Sequence, residues 1–166
     1  MIRTTLLAAA AAICAAAPAS AQDSPGETLD ALYAVISGPV GQARDWDRFR
    51  ALFLADARMT VVGRGPDGVL ISSWSPEDYI ESAGPNLVRV GFTETETRRR
   101  TYQYGEMATI LSAYEGVRAD TGETIATGIN TLTLVQQDGV WKIASLAWRA
   151  ADEAWPVDAG FQAQDP

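Results

Sequence analysis

The chain has 166 residues, with 21 acidic against 13 basic side chains, no histidine and a formal charge of −8 at pH 7. Without histidine there is no Ser-His-Asp or Cys-His catalysis, no imidazole metal site and no histidine base. The acidity argues against nucleic acid and anionic lipid as partners, because both are bound chiefly through Lys and Arg.

At the N-terminus Arg3 precedes an apolar run from Leu6 to Ala17 and the small-residue site Pro18-Ala19-Ser20-Ala21. A charged start, a short apolar stretch and an A-x-A site predict a secretory signal peptide over residues 1–21, cleaved after Ala21. The run is too short to span a bilayer stably, and Ile13 before Cys14 does not fit a lipoprotein site. The expected location is therefore periplasmic or secreted, with no membrane insertion after cleavage. The remaining 145 residues carry 12 basic and 21 acidic side chains, a charge of −9, and no cysteine. Disulfides, thiol nucleophiles and thiolate zinc sites go with that cysteine. No D-x-D-x-D-G loop is present and the acidic residues are dispersed, so no metal site and no cofactor is expected. The length suits one domain, residues 22–155, followed by a flexible polar tail over 156–166.

Ser24-Pro25-Gly26-Glu27 is a capping box with Pro at the first helical position. Leu29, Leu32, Tyr33 and Ile36 then form one apolar stripe, which Gly38-Pro39 ends. A second helix starts near Asp45 and places Trp46, Phe49, Leu52 and Phe53 on one face. Met59–Val62 and Val69–Ser73 make a small hairpin. Ser75-Pro76-Glu77-Asp78 opens a third helix, expected to stop before Gly84-Pro85. Four β-rich runs follow, Phe92–Gln103, Met107–Ala119, Thr124–Gln136 and Val140–Ala150, joined by turns at Gly105, Asp120-Thr121-Gly122 and Asp138-Gly139. Such turns predict an antiparallel meander.

Gly63-Arg64-Gly65-Pro66-Asp67-Gly68 matches a dinucleotide-binding pattern, but a strand follows it where that loop must open into a helix. It reads as a hairpin loop. Arg98-Arg99-Arg100, with Glu94 and Glu96 just before it, reads as a salt-laced strand face.

The order of elements resembles the nuclear transport factor 2-like superfamily, which includes the polyketide-cyclase-like (SnoaL-like) proteins. The segments that carry the resemblance are Trp46–Phe53 with Ala55-Asp56-Ala57, Phe92–Glu96, Gly105–Glu115, Gly128–Thr131 and Asp138–Ile143. It resembles most a secreted bacterial branch of unestablished activity. It implies an α+β class of cystatin-like type: a cone-shaped α+β barrel, with three N-terminal helices packed in a strongly curved, mixed but mainly antiparallel sheet around a cavity. Its catalytic branches use residues this chain lacks. Ketosteroid isomerase carries a carboxylate base where Val61 aligns here, and its oxyanion hole is a worked case of pKa tuning. Dehydratase-type members use a His–Asp pair, and the resembled branch is expected to carry a His near Thr109.

Six residues are candidates for the cavity: Tyr33 on the first helical stripe, Tyr114 and Asn130 as polar groups in mid-strand, Trp148 late in the last strand, and Glu94 with Arg98 at the rim. Glu94 and Arg98 share parity, so they project together unless a bulge intervenes. Trp141 reads as core or dimer surface. The expected function is binding of a small, partly apolar molecule without turnover. The alternatives are a carboxylate-dependent isomerase, cyclase or hydrolase-type enzyme, using Glu94 with Tyr114 as donor, and a homodimeric protein-interaction module. An apolar cavity favours the first, a buried carboxylate the second. Met107, Leu111, Ile125, Ile129, Leu132 and Leu134 put apolar side chains on both faces of the central strands, so a homodimer through the outer face is expected.

Overall fold

The computed structural model describes residues 22–162. The leader expected over 1–21 and the last four residues of the expected tail lie outside that range. The element order is α1 (Pro25–Ile36), α2 (Trp46–Ala51), β1 (Phe53–Gly65), β2 (Gly68–Trp74), α3 (Pro76–Val90), β3 (Phe92–Tyr104), β4 (Met107–Arg118), β5 (Thr124–Gln137) and β6 (Val140–Ala150). One six-stranded sheet has the order β2-β1-β6-β5-β4-β3. The β1–β6 pair is parallel and the others antiparallel, which is the mixed sheet expected.

The turn chemistry carries the meander. Gly105, Gly122 and Gly139 all have positive φ, and Asp138 shares it at 53°, as a tight Asp-Gly hairpin turn requires. The Gly63–Gly68 segment closes the β1–β2 hairpin, with Gly65 paired to Gly68, so the dinucleotide reading fails on geometry.

Two helix ends differ from expectation. Ser24 and Asp45 cap α1 and α2 as predicted, accepting from the amides of Glu27 and Arg48. However, α2 is only six residues long, and Phe53 already begins β1. The cause is tertiary: the Leu52 carbonyl accepts from the Ile143 amide at 2.8 Å, and Phe53 pairs in parallel with Ile143. Phe53 still packs on Phe49, with ring centroids 4.9 Å apart, so the aromatic face survives the change of backbone. α3 begins with a complete Ser75/Asp78 capping box but runs through Gly84-Pro85 to Val90. Pro85 removes one amide donor from the helix, at a cost of about 3 kcal/mol. Buried Leu87 and Val90 lie beyond it, and their packing outweighs the lost bond. Gly84 lets the Trp46 ring sit close, where a Cβ would lie 3.0 Å from it. The helix stops at Gly91, φ 66°.

The concave face of the sheet and α1 share the core. Ile110, Leu132, Leu134 and Ile143 are fully buried or nearly so, with Leu29, Leu32, Phe49 and Leu52 against them. Trp141 belongs to this core at 2% exposure. Arg44 is also buried, and its guanidinium donates to the carbonyls of Ile36, Gly38, Gln42 and Leu87. One cation thus ties the negative C-terminal end of α1 to that of α3.

The segment after Pro156, expected to be loose, forms a short 3-10 helix, Val157–Phe161. It lies on the outer face of the sheet, where Gly160 fits against Ile129 and Phe161 lies beneath the Arg98 and Arg100 guanidiniums. Arg100 donates to the Phe161 carbonyl at 2.8 Å and Arg98 pairs with Asp158 at 3.1 Å. Those contacts hold Val157–Phe161 against the sheet.

Candidate functional site

Between α1, α3 and the concave sheet lies a cavity of about 330 Å³. Every strand of the meander contributes to it: Phe92 and Glu94 from β3, Tyr114 from β4, Ala126 and Asn130 from β5, Leu146 and Trp148 from β6. The register explains why they meet. Asn130 is paired with Ser112 on one side and Trp148 on the other, and directly paired residues share a face. Tyr114 is paired with Gly128. A Cβ on Gly128 would lie 2.7 Å from the Tyr114 hydroxyl oxygen, so the missing side chain makes room for the phenol.

Of the six expected site residues, Glu94, Tyr114, Asn130 and Trp148 line the cavity. Tyr33 stands one hydrogen bond behind it, under Asn130, while Leu32 and Ile36 represent α1 in the lining. Arg98 is a correction. Glu96 pairs with Tyr114 and Arg98 with Ala113, leaving Thr97 as an extra residue in a bulge. The two-residue alternation breaks there, so Arg98 turns to the outer face, against Asp158 and Phe161. Among the cavity residues with no sequence argument behind them are Trp74, Tyr79 and Met59. Tyr79 had a legible signal, since Tyr79, Ala83 and Leu87 repeat at a helical interval on α3. Val61 lines the cavity as an apolar wall, and the acid sits two strands away in the chain, on β3.

A directed chain of hydrogen bonds lies behind the cavity. The Asn130 amide nitrogen donates to Glu94 Oε1 at 2.9 Å and to Tyr33 Oη at 3.0 Å. Tyr33 has one proton, and with its oxygen accepting from Asn130 that proton goes to Ser112 Oγ, 2.7 Å away. Ser112 then donates to Glu96 Oε1 at 2.5 Å. Glu96 in turn accepts from Arg99 Nε, and Arg99 also bonds Asp30 on α1. The chain therefore runs from the cavity to the protein surface; from Asn130 through Tyr33 and Ser112 the donors point toward Glu96, while Asn130 also donates to Glu94 and Arg99 to Asp30. Tyr33 is committed within it and has no proton to offer a ligand.

Burial pushes the Glu94 carboxyl up to about 7, and the Asn130 bond offsets part of that rise. Burial likewise pushes the Tyr33 phenol up to about 12, and it raises those of Tyr79 and Tyr114 as well. Glu94 is the one charged side chain lining the cavity. The remaining walls mix aromatic rings with aliphatic side chains. The Trp74 and Trp148 rings meet at 65° with centroids 5.8 Å apart, and Tyr79 meets Trp148 at 89° and 6.3 Å. On its other side Tyr79 stacks on Phe49 at 14° and 5.4 Å, so Phe49 backs this aromatic corner.

No protein-family profile matches the sequence, and a search of curated proteins finds no relative. Solved structures do match. A protein with a cystatin-like fold from Novosphingobium aromaticivorans superposes with a TM-score of 0.64 at 15% identity, over 82% of this chain and 86% of its own. The fold is nuclear transport factor 2-like. A protein of unknown function from Nostoc punctiforme gives 0.57 at 12% identity, over 77% and 89% of the two chains. A provisionally assigned scytalone dehydratase from Novosphingobium aromaticivorans gives 0.55 at 15%, over 76% and 81%. Identities this low establish the nuclear transport factor 2-like fold and carry no activity across.

Proposed function

We propose that this is an exported nuclear transport factor 2-like domain whose cone cavity binds one small, partly apolar molecule, with Glu94 as its polar anchor. The observation that carries this is the cavity itself: about 330 Å³, walled by Trp74, Tyr79, Tyr114 and Trp148, with a single carboxylate in the lining. Cavities of this size and polarity are typical small-molecule sites. The test is calorimetric titration with 1-adamantanol, together with Trp fluorescence. A binding isotherm with a shift in emission, lost on Trp148→Ala, supports the reading. Absence of heat and of any shift for a series of apolar alcohols defeats it.

A second reading is proton transfer by Glu94. It is favoured by a carboxyl raised to about 7, the range in which a general base works near neutral pH. The phenols of Tyr79 and Tyr114, which have no hydrogen-bond partner among the described residues, are available to stabilise a developing oxyanion. Exchange of the α-protons of 2-tetralone in deuterated water, abolished by Glu94→Gln, is its signature. The buried Glu94 carboxyl counts toward this second reading, but the first ranks ahead because the cavity is otherwise mostly apolar and Val61 stands where the isomerase base would be.

Export and assembly belong to the same proposal. The signal over residues 1–21 supports a mature chain beginning at Gln22, which intact-mass measurement of native protein checks. A homodimer through the outer sheet face is supported by the exposure of Met107 and Ile125 there.

A further inference from the structure

We propose that the molecule bound in this cavity is a small cationic amine with an apolar body, its ammonium group paired with Glu94 beside the cavity's aromatic rings. The inference rests on the reading of the cavity as a binding site and specifies the chemistry of its occupant.

Charge is the first argument. Glu96 points inward from the same strand, two residues on, and has Arg99 as its partner at 2.6 Å. Glu94 has only the Asn130 amide, and among the described residues no Lys or Arg lies within ion-pair distance of it. A carboxylate taken out of water without a cation is costly, and a bound cation removes that cost. A ligand carboxylate meets repulsion there, with no basic side chain in the lining to relieve it. The chain's charge of −8 also raises the local concentration of cations and lowers that of anions.

The walls are the second argument. Aromatic rings carry negative charge on their faces, and an ammonium within about 6 Å of a ring centroid gains roughly 0.5–2 kcal/mol from it. Trp74 and Tyr79 each meet Trp148 at a steep angle, and all three line the cavity. The Tyr79 and Tyr114 hydroxyls lie close enough to Glu94 to feel its charge. A primary ammonium has three donors to satisfy, and one carboxylate oxygen with two phenol oxygens supplies three acceptors. A neutral alcohol would use one of them. The apolar remainder, from Leu32 and Ile36 to Met59 and Leu146, takes the hydrocarbon.

The pH behaviour separates this from a neutral ligand. The titratable groups facing Glu94 are Tyr114 of β4, Tyr79 of α3 and, behind Asn130, Tyr33 of α1, all raised by burial and therefore neutral throughout. Arg44, buried beneath the ends of α1 and α3, keeps its charge although burial lowers it, and Glu96 is held by Arg99. Glu94 is then the group that ionises near neutrality. An ammonium ligand binds more tightly as pH rises through that range, and a hydrogen-bond acceptor less tightly.

The experiment is calorimetric titration of the purified protein with three isosteric probes, 1-adamantylamine, 1-adamantanol and 1-adamantanecarboxylate, at about pH 8.5 and about pH 5.5, either side of the titration. The expected order at the higher pH is amine, then alcohol, then carboxylate, with the amine at least about tenfold ahead of the alcohol. That ratio shrinks toward one at the lower pH and in Glu94→Gln. If Glu94→Gln fails to fold, the pH series on the unaltered protein decides alone. An alcohol that binds as tightly as the amine overturns the amine assignment and leaves the cavity reading standing. An amine preference unchanged by pH removes Glu94 from the account and overturns it too. No binding of any probe overturns the cavity reading, and this inference with it.

Discussion

Tyr33→Phe and Ser112→Ala, singly and together, test the hydrogen-bond chain behind the cavity. Tyr33 is 6% exposed and Ser112 fully buried, so water cannot replace what either loses. Removing the Tyr33 hydroxyl leaves one Asn130 amide proton without an acceptor, while Ser112 keeps its bond to Glu96. A buried unsatisfied donor costs about 1–3 kcal/mol, and a mid-range loss of about 2 kcal/mol lowers Tm by about 4–8 °C in a domain of this size. Removing the Ser112 hydroxyl strands the Tyr33 proton and one Glu96 acceptor, for a loss of about the same size. In the double variant the stranded Tyr33 proton no longer exists, so the two losses overlap by about 0.5–2 kcal/mol. Urea denaturation of the four proteins measures this directly. A Tyr33→Phe protein within about 0.5 kcal/mol of the parent, or losses that simply add, would mean that the two hydroxyls are not coupled through a buried bond.

Four further expectations follow from the same geometry. A carboxyl held near 7 in the folded state rather than near 4.5 costs stability only where it is ionised, so the protein should lose up to about 3 kcal/mol as pH rises through that window; Glu94→Gln should flatten the loss, and a parent stability that rises with pH there refutes the burial of Glu94. Gly128→Ala should destabilise by about 1–3 kcal/mol and displace Tyr114, because the new Cβ would lie 2.3 Å from the Arg149 carbonyl oxygen, which is backbone and cannot yield cheaply; an unchanged melting curve tells against the register there. Pro85→Ala should stabilise by about 1–2 kcal/mol, restoring a helical amide at the cost of a less restricted unfolded chain. Light scattering should give twice the chain mass, and Phe161→Ala should alter that value if the 3-10 helix borders the proposed dimer face; a monomer in both proteins refutes the dimer.

The meander strands were legible because their boundaries are written locally, whereas β1, expected over Met59–Val62, runs from Phe53 to Gly65. Asp138-Gly139 and Gly105 demand positive φ, and alternation filled in the runs between them to within one residue of the observed ends at Tyr104, Arg118 and Gln137. The ends of α2 and α3 were not legible, because both are decided by partners far away in sequence: the Ile143 amide that claims Leu52, and the packing beyond Pro85 that outweighs a helix breaker. The same division holds at the site. Tyr114 and Asn130 were legible as polar side chains in mid-strand, and Trp148 by its place late in the last strand. Arg98 was not, since Thr97 is an extra residue that nothing in Thr95-Glu96-Thr97-Arg98 announces. The contacts of Val157–Phe161 are likewise a long-range fit that no local pattern gives.

The extra residue at Thr97 also bears on how this gene tolerates change. Up to Glu96 the even-numbered positions of β3 face the interior, and from Arg98 onward the odd ones do, as Arg99 shows. Saturation mutagenesis read as a sensitivity profile should oscillate with a two-residue period whose phase inverts at Thr97. Deleting Thr97 would leave both halves in their present pairing, because Glu96 and Arg98 already face neighbouring residues, Tyr114 and Ala113. Deleting Glu96 or Arg98 lets Thr97 take the vacated place, whereas a deletion far along either half slides the intervening residues past their partners and exchanges their wet and dry faces. A coding frame that loses one codon should therefore survive best at and beside Thr97 and worse with distance from it.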